Sequence, residues 1–164
     1  MDFKETLSAL CAASNEYASE LAGTALSEFA RVKRSPLGNV YGEIKGKSDY
    51  SILLDAHLDE VHFIVTSIDQ DGFLHIDKVG GPDLRPLSGA EVTVFAAKPL
   101  YGIVCKYELE DGKAPDVDKI KIDIGFSGPE AQKRVKPGDR VTFLQTSEFC
   151  LNNKITAKSL DDRA

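Results

Sequence analysis

Three ionisable residues follow an apolar stretch in the segment SILLDAHLDEVHFIV, residues 51–65. His57, Asp59 and Glu60 come directly after residues 51–56, a continuous apolar run of the kind that forms a strand covered on both faces. At the carboxyl end of such a strand, His57 and Asp59 can both turn towards one pocket. A carboxylate that accepts the second ring N–H of a histidine fixes its tautomer, which is a common arrangement at metal sites. A His-x-Asp pair is also frequent by chance, so a surface pair or a satisfied core pair stays open.

A second group of candidate ligands lies in the segment ITAKSLDDRA at the end of the sequence. Asp161 and Asp162 directly follow residues 155–160, which are predicted to form a strand. Adjacent carboxylates are costly unless a positive charge is near, and a divalent metal ion would supply that charge. The alternative is a frayed, solvated terminus. The other two histidines, His62 and His75, stand alone on predicted strands and are interpreted as structural.

The elements that must position these residues are two helices, a β-rich body and a tail. Apolar residues at helical spacing predict two amphipathic helices within the first 30 residues. A hairpin is predicted from residues 31–34 and 40–45, around a turn that contains Pro and Gly. Alternating apolar residues and Gly/Pro turns then predict a small barrel or sandwich, with strands at residues 63–68, 73–79, 91–95, 101–105, 119–124 and 140–144. The tail, residues 155–164, is predicted to return to the first layer.

Composition limits the classes of function. The 164 residues are 42% hydrophobic and 28% charged, as in an ordinary globular protein of one domain or two small ones. A net charge of -6 without a large basic cluster argues against nucleic-acid and membrane partners. Three widely spaced cysteines indicate neither a disulfide framework nor a cysteine metal site. No apolar tract is long enough to span a bilayer, and the N-terminus does not have the pattern of a signal peptide, so the expected compartment is the cytoplasm.

Five motifs follow one another along the chain: LLDAHLDEVHFIV, IDQDGFLHIDKVGGPDLRPLSGAEVTV, YGIV, IDIGFSGPEAQKRVKPGDRVTF and ITAKSLDDRA. Their order resembles that of the glutamyl aminopeptidase and tetrahedral aminopeptidase family of dinuclear metallopeptidases, and the likeness covers nearly the whole chain as the N-terminal half of such an enzyme. The resemblance implies the α/β start of a metallopeptidase catalytic domain, residues 1–66 and 155–164. It also implies an inserted small β-barrel dimerisation domain, residues 67–154.

The resemblance also implies a role for single residues. His57 matches a metal ligand, Asp59 matches the catalytic acid that orients it, and Asp161 matches the carboxylate that bridges two metal ions, zinc or cobalt. The peptide bond after Asp161 is expected to be cis. The implied enzyme is a hydrolase that removes N-terminal residues from peptides with a metal-activated water, and it forms a dimer-based homo-oligomer through the barrel.

One departure from the family pattern bears on activity. In the family a Glu-Glu pair, a further Asp and a late His follow the Asp-Asp pair, and these 164 residues do not contain them. The Glu-Glu pair includes the general base, so the chain by itself is expected to be inactive. The alternative function is a non-catalytic oligomerisation or interaction module built on the β-barrel.

Overall fold

The structure is a computed structural model that describes residues 2–109, 111–144 and 147–164. Its helices are α1 (Phe3–Ala12), α2 (Asn15–Ser27), α3 (Gly128–Arg134) and the four-residue α4 (Leu160–Arg163), with short 3-10 helices at Val117–Lys119 and Leu151–Asn153. Its strands are β1 (Arg31–Arg34), β2 (Val40–Glu43), β3 (His62–Ile68), β4 (Leu74–Val79), β5 (Glu91–Phe95), β6 (Pro99–Val104), β7 (Lys121–Asp123), β8 (Arg140–Phe143), β9 (Glu148–Cys150) and β10 (Lys154–Thr156). The chain divides into two compact units, residues 2–60 with 147–164 and residues 61–144. Among the helices of the described residues, none is long and apolar enough to cross a membrane.

Two helices and a hairpin begin the first unit, as the sequence predicts. One face of α1 buries Leu7 and Cys11. The second helix begins after Ser14, whose hydroxyl accepts a hydrogen bond from the backbone N–H of Tyr17 and so caps the helix. The antiparallel hairpin β1–β2 follows, and β2 ends two residues before its predicted end.

The apolar run at residues 51–56 does not form a strand, and this prediction is wrong. Its side chains are largely exposed, with Leu53 at 83% and Leu54 at 91%. A strand covered on both faces needs hydrogen-bonded neighbours, and none of the strands in the described residues pairs with this run. His57 and Asp59 therefore lie on an irregular segment and not at the end of a strand.

The tail of the chain forms the hairpin β9–β10 and a final turn, and it belongs to the first unit. The strand predicted over residues 155–160 is shorter than expected, because β10 ends at Thr156 and pairs with the three-residue strand β9. Asp161 and Asp162 lie on α4, where both have non-helical backbone angles. The two acids therefore lie in a short turn and not at the end of a strand.

The second unit is a closed antiparallel barrel with the strand order β3-β4-β7-β6-β5-β8, as expected for the β-rich body. Alternate residues of β3 and β4 point into the barrel, so that Phe63, Val65, Leu74 and Ile76 are buried. The ring of Phe63 packs edge-on against that of Phe143, with centroids 5.8 Å apart. Closure leaves no unpaired sheet edge and encloses one apolar core. The fold class is therefore an α/β unit with a β-barrel.

The boundaries of the two units differ from the expected domain boundaries. The barrel was expected over residues 67–154. In the structure β3 pairs with both β4 and β8, so the barrel unit includes the chain from Val61. At the other end β9 pairs with β10, so this hairpin belongs to the first unit. Both shifts follow from backbone pairing between segments, which the alternation of residue types does not reveal.

An ion-pair cluster stabilises the turn between β3 and β4. The carboxylate of Asp69 accepts hydrogen bonds from the Lys121 ammonium at 3.0 Å and from the backbone N–H of Phe73 at 3.0 Å. It also lies 3.4 Å from Nε2 of His75. Together these contacts lower the pKa of Asp69 from 3.8 to about 2, and the hydrogen bond from Lys121 is the largest cause.

We expect this carboxylate to make the stability of the barrel depend on pH. Because the folded-state pKa is lowered, the contribution is present above pH 3.8 and is lost as the pH falls towards about 2. Asp69→Asn should therefore lower the thermal unfolding midpoint at pH 7. As the pH is lowered, the midpoint of this variant should fall less than that of the wild type. Asp71→Asn, on the same turn and exposed, is the matched control and should follow the wild type. An acid profile of Asp69→Asn identical to that of the wild type would contradict this expectation.

Candidate metal site

The structure brings His57 and Asp161 together, although they are 104 residues apart in sequence. Nε2 of His57 lies 3.0 Å from Oδ1 of Asp161 and 3.7 Å from Oδ2 of Asp162. The two acids are joined by a cis peptide bond, as the resemblance implied. One ligand atom from each of the three side chains lies within 4.8 Å of the others. In residues 2–109, 111–144 and 147–164, no other group of three or more His, Cys, Asp or Glu residues has this geometry.

The other ring nitrogen of His57 faces Asp59. Nδ1 lies 3.0 Å from the backbone carbonyl oxygen of Asp59 and 3.5 Å from its carboxylate. The carbonyl is therefore the closer acceptor, and the carboxylate singled out from the sequence is the farther one. Either acceptor keeps a proton on Nδ1 and directs Nε2 of the ring towards the acid pair.

The acceptors on both sides of the ring raise the pKa of His57, with the hydrogen bond to the Asp59 carbonyl as the largest cause and the Asp161 carboxylate as a further one. A neutral imidazole can donate from only one of its nitrogens. When the proton is on Nδ1, the lone pair of Nε2 faces two carboxylates, and a cation between them would relieve this repulsion. Imidazole nitrogen and carboxylate oxygen are ligands that suit zinc, cobalt and manganese. The donor set therefore fits a divalent metal ion.

Comparisons with known proteins identify the family of this chain. The model of the M42 glutamyl aminopeptidase family matches residues 38–164, which include both halves of the candidate site. The chain belongs to the M42 family. This M42 chain is 35% identical over 159 residues to the protein SgcX of Escherichia coli (strain K12). It is 30% identical over 146 residues to the lysyl aminopeptidase of Pyrococcus furiosus.

The similarity covers most of this M42 chain but only part of its relatives. The two sequence matches cover 87% and 80% of the chain, and 42% and 41% of the relatives. A solved structure of the Pyrococcus horikoshii TET1 peptidase is 30% identical, with a TM-score of 0.78, and the match covers 99% of this chain and 52% of that one. The chain thus spans about half of the length of the proteins that it matches, or somewhat less.

Two charged residues near the site of this M42 chain were not singled out as functional by the sequence analysis. Glu60 and Arg163 are buried, with 7% and 4% of their surface exposed. Glu60 was noted as one of three ionisable residues after the apolar run but was given no role, and Arg163 stands directly beside Asp162. The burial of these two residues could not be predicted from the sequence, because charged residues are normally exposed.

The remaining two histidines of the M42 chain lie in the other unit. His62 begins β3 and His75 lies on β4, so both are on barrel strands. Nε2 of His75 lies beside the carboxylate of Asp69 in the cluster described above. The interpretation of both residues as structural stays a prediction.

Proposed function

We propose that this chain supplies part of the metal site of an aminopeptidase, which removes N-terminal residues from peptides with a metal-activated water. In this proposal His57 is a metal ligand, Asp161 bridges two divalent ions, zinc or cobalt, and Asp59 orients His57. The observation that supports it is the 3.0 Å contact between Nε2 of His57 and Oδ1 of Asp161. Membership of the M42 family supports peptidase activity in general.

The chain's own residues prepare this site in two ways. The Asp59 carbonyl holds the Nδ1 proton of His57, which leaves the Nε2 lone pair available for a ligand bond. The side chain of Asp161 is 89% exposed, so its second oxygen is open to solvent. When bound, the two ions would supply an activated water and positive charge for the developing oxyanion.

We further propose that these 164 residues do not hydrolyse peptides by themselves. Catalytic zinc sites normally have three protein ligands, and in this proposal His57 and Asp161 are the ligands that the chain supplies. The Glu that would act as general base is absent from the sequence, and loss of general-base catalysis costs roughly a hundredfold or more.

Calorimetry together with a peptidase assay tests both proposals. With Co²⁺ or Zn²⁺, the chain is expected to show saturable binding but no hydrolysis of aminoacyl chromogenic substrates above the level of the His57→Ala variant. Absence of binding at millimolar Co²⁺ would contradict the proposed metal site. Turnover that disappears in His57→Ala would contradict the proposal that the chain alone is inactive.

We also propose that the barrel is a surface for self-association. Tyr101 and Ile103 project outward from β6 and are 51% and 42% exposed, and Phe95 on the adjacent strand β5 is 38% exposed. Apolar side chains of this kind, grouped on neighbouring strands, favour a protein interface. The Pyrococcus horikoshii TET1 peptidase can assemble into a tetrahedron or a large octahedral shell. The second candidate function, a non-catalytic interaction module, rests on the same surface.

The proposed compartment is the cytoplasm. Cys11, Cys105 and Cys150 are unpaired, and the thiol of Cys11 is buried whereas that of Cys150 is exposed. Unpaired thiols are typical of proteins in a reducing environment. The proposed partners are accordingly peptides and further copies of the chain, without nucleic acid or membrane.

A further inference from the structure

Two charged side chains beside the candidate metal site are buried, whereas the candidate ligands are exposed. Glu60 and Arg163 are 7% and 4% exposed, but the side chains of His57 and Asp161 are 49% and 89% exposed. Burial of a charge is costly unless the group is paired and hydrogen-bonded. The contacts of these two residues must therefore offset that cost.

Arg163 connects the segment that carries the imidazole to the first helix. Its Nε–H donates a hydrogen bond to the backbone carbonyl of Leu58 at 2.7 Å. Its Nη1 donates to the carbonyls of Leu10 and Ala13 at 2.8 Å, at the C-terminal end of α1. The Leu10 carbonyl also accepts the backbone N–H of Ala13. Its Nη2 donates to the side-chain oxygen of Asn15 at 3.0 Å. This set of contacts uses the fixed fork of a guanidinium, which the single ammonium of a lysine cannot reproduce.

Glu60 connects the segment that carries the imidazole to the tail of the chain. Its carboxylate accepts a hydrogen bond from the hydroxyl of Ser159 at 2.7 Å and lies 3.1 Å from the Lys158 ammonium. Its backbone N–H donates to the side-chain oxygen of Asn15 at 3.3 Å. The same oxygen accepts the hydrogen bond from Arg163. One amide oxygen therefore joins the two buried charges into a single network.

This network contacts the chain close to both members of the candidate site. Arg163 lies two residues after Asp161 and binds the carbonyl of the residue that directly follows His57. Glu60 lies three residues after His57 and binds Ser159, which lies two residues before Asp161. Because His57 and Asp161 are 104 residues apart, local structure alone cannot fix the distance between them.

We infer that Glu60 and Arg163 are positioning residues, which hold the imidazole of His57 and the carboxylate of Asp161 at ligand distance. The inference rests on the proposed metal site for its effect on metal binding, but the geometric effect is independent of metal. Loss of hydrogen bonds that orient metal ligands typically costs about 10- to 100-fold in affinity. We expect Glu60→Gln and Arg163→Lys each to weaken Co²⁺ binding by this factor.

Nitrogen-15 NMR of the imidazole rings in the metal-free chain tests the geometric part. The signal of His57 is assigned by its absence from the His57→Ala spectrum. Asp161→Asn removes the charged acceptor and should shift the Nε2 signal of His57. Glu60→Gln and Arg163→Lys are expected to shift that signal in the same direction at the same pH. An unchanged His57 signal in both variants overturns the inference, whatever the metal measurement shows.

Titration with Co²⁺, followed by calorimetry, tests the effect on metal binding. Asp69→Asn, which breaks an ion pair in the barrel, is the control and should keep wild-type affinity and an unchanged His57 signal. Equal affinity in the wild type, Glu60→Gln and Arg163→Lys overturns the inference. If the wild type binds no Co²⁺ but the NMR signal shifts as expected, the positioning role stands and the proposed metal site fails. Should circular dichroism show that Arg163→Lys is unfolded, Glu60→Gln alone decides the result.

Discussion

The His57→Ala variant is expected to bind Co²⁺ at least about a hundredfold more weakly than the wild-type chain. His57 supplies the nitrogen atom of the candidate site, 3.0 Å from Oδ1 of Asp161. Removal of a ligand should lower the metal affinity at least as much as loss of a supporting hydrogen bond does. Loss of such a hydrogen bond lowers the affinity by up to about 100-fold. Calorimetric titration of both proteins at the same pH measures the ratio of the two dissociation constants.

The matched control for this variant is His75→Ala. His75 also lies near a carboxylate, with Nε2 3.4 Å from Asp69. It does not belong to a group of three potential ligands among the residues that the structure describes. The control should therefore keep the affinity of the wild type. An equal loss of affinity in both variants would mean that Co²⁺ binds histidine side chains without regard to the site, which contradicts the proposal.

The second large effect is expected on the molecular mass in solution. We expect the wild-type chain to be a dimer and Ile103→Lys to be a monomer, so that light scattering gives half the mass. Ile103 projects outward beside Tyr101, opposite Glu91 and Asp123 on the two neighbouring strands. A lysine at this position would bring a hydrated ammonium group into the apolar contact. Val79→Lys is the matched control, because Val79 is 40% exposed at the end of a different barrel strand, β4. A monomeric wild type, or equal masses for the wild type and Ile103→Lys, would contradict self-association through this surface.

The barrel could be predicted from the sequence because each of its strands carries its own signal. In β3 and β4 the buried residues Phe63, Val65, Leu74 and Ile76 alternate with less buried ones, and the turn between the strands contains Gly72 with a φ of 98°. Alternation identifies a strand and its buried face. The strand partners, which decide where the barrel unit begins and ends, depend on contacts between distant segments.

The strand predicted at residues 51–56 was wrong for a related reason. Leu53 and Leu54 have the character of buried residues, but hydrophobicity records only a tendency to be covered and not the neighbour that covers them. In the first unit no described strand pairs with this run. The predicted strand would have formed only with a hydrogen-bonded strand on each side of it.

The candidate site was predictable in part. His57, Asp59 and Asp161 were proposed because their motifs resemble those of a known family, whereas composition and spacing alone left a chance pair open. The supporting role inferred for Glu60 and Arg163 could not be read from the sequence. Their burial arises only when segments from positions 10–15, 58–60 and 158–163 meet, and charged residues are otherwise expected at the surface.

Anomalous X-ray diffraction at the zinc edge, from crystals of the chain grown with Zn²⁺, tests most directly whether His57 and Asp161 bind the same ion. We predict an anomalous peak about 2.1 Å from Nε2 of His57 and at a similar distance from a carboxylate oxygen of Asp161. A zinc peak that contacts only one of these residues, or neither, would contradict the account.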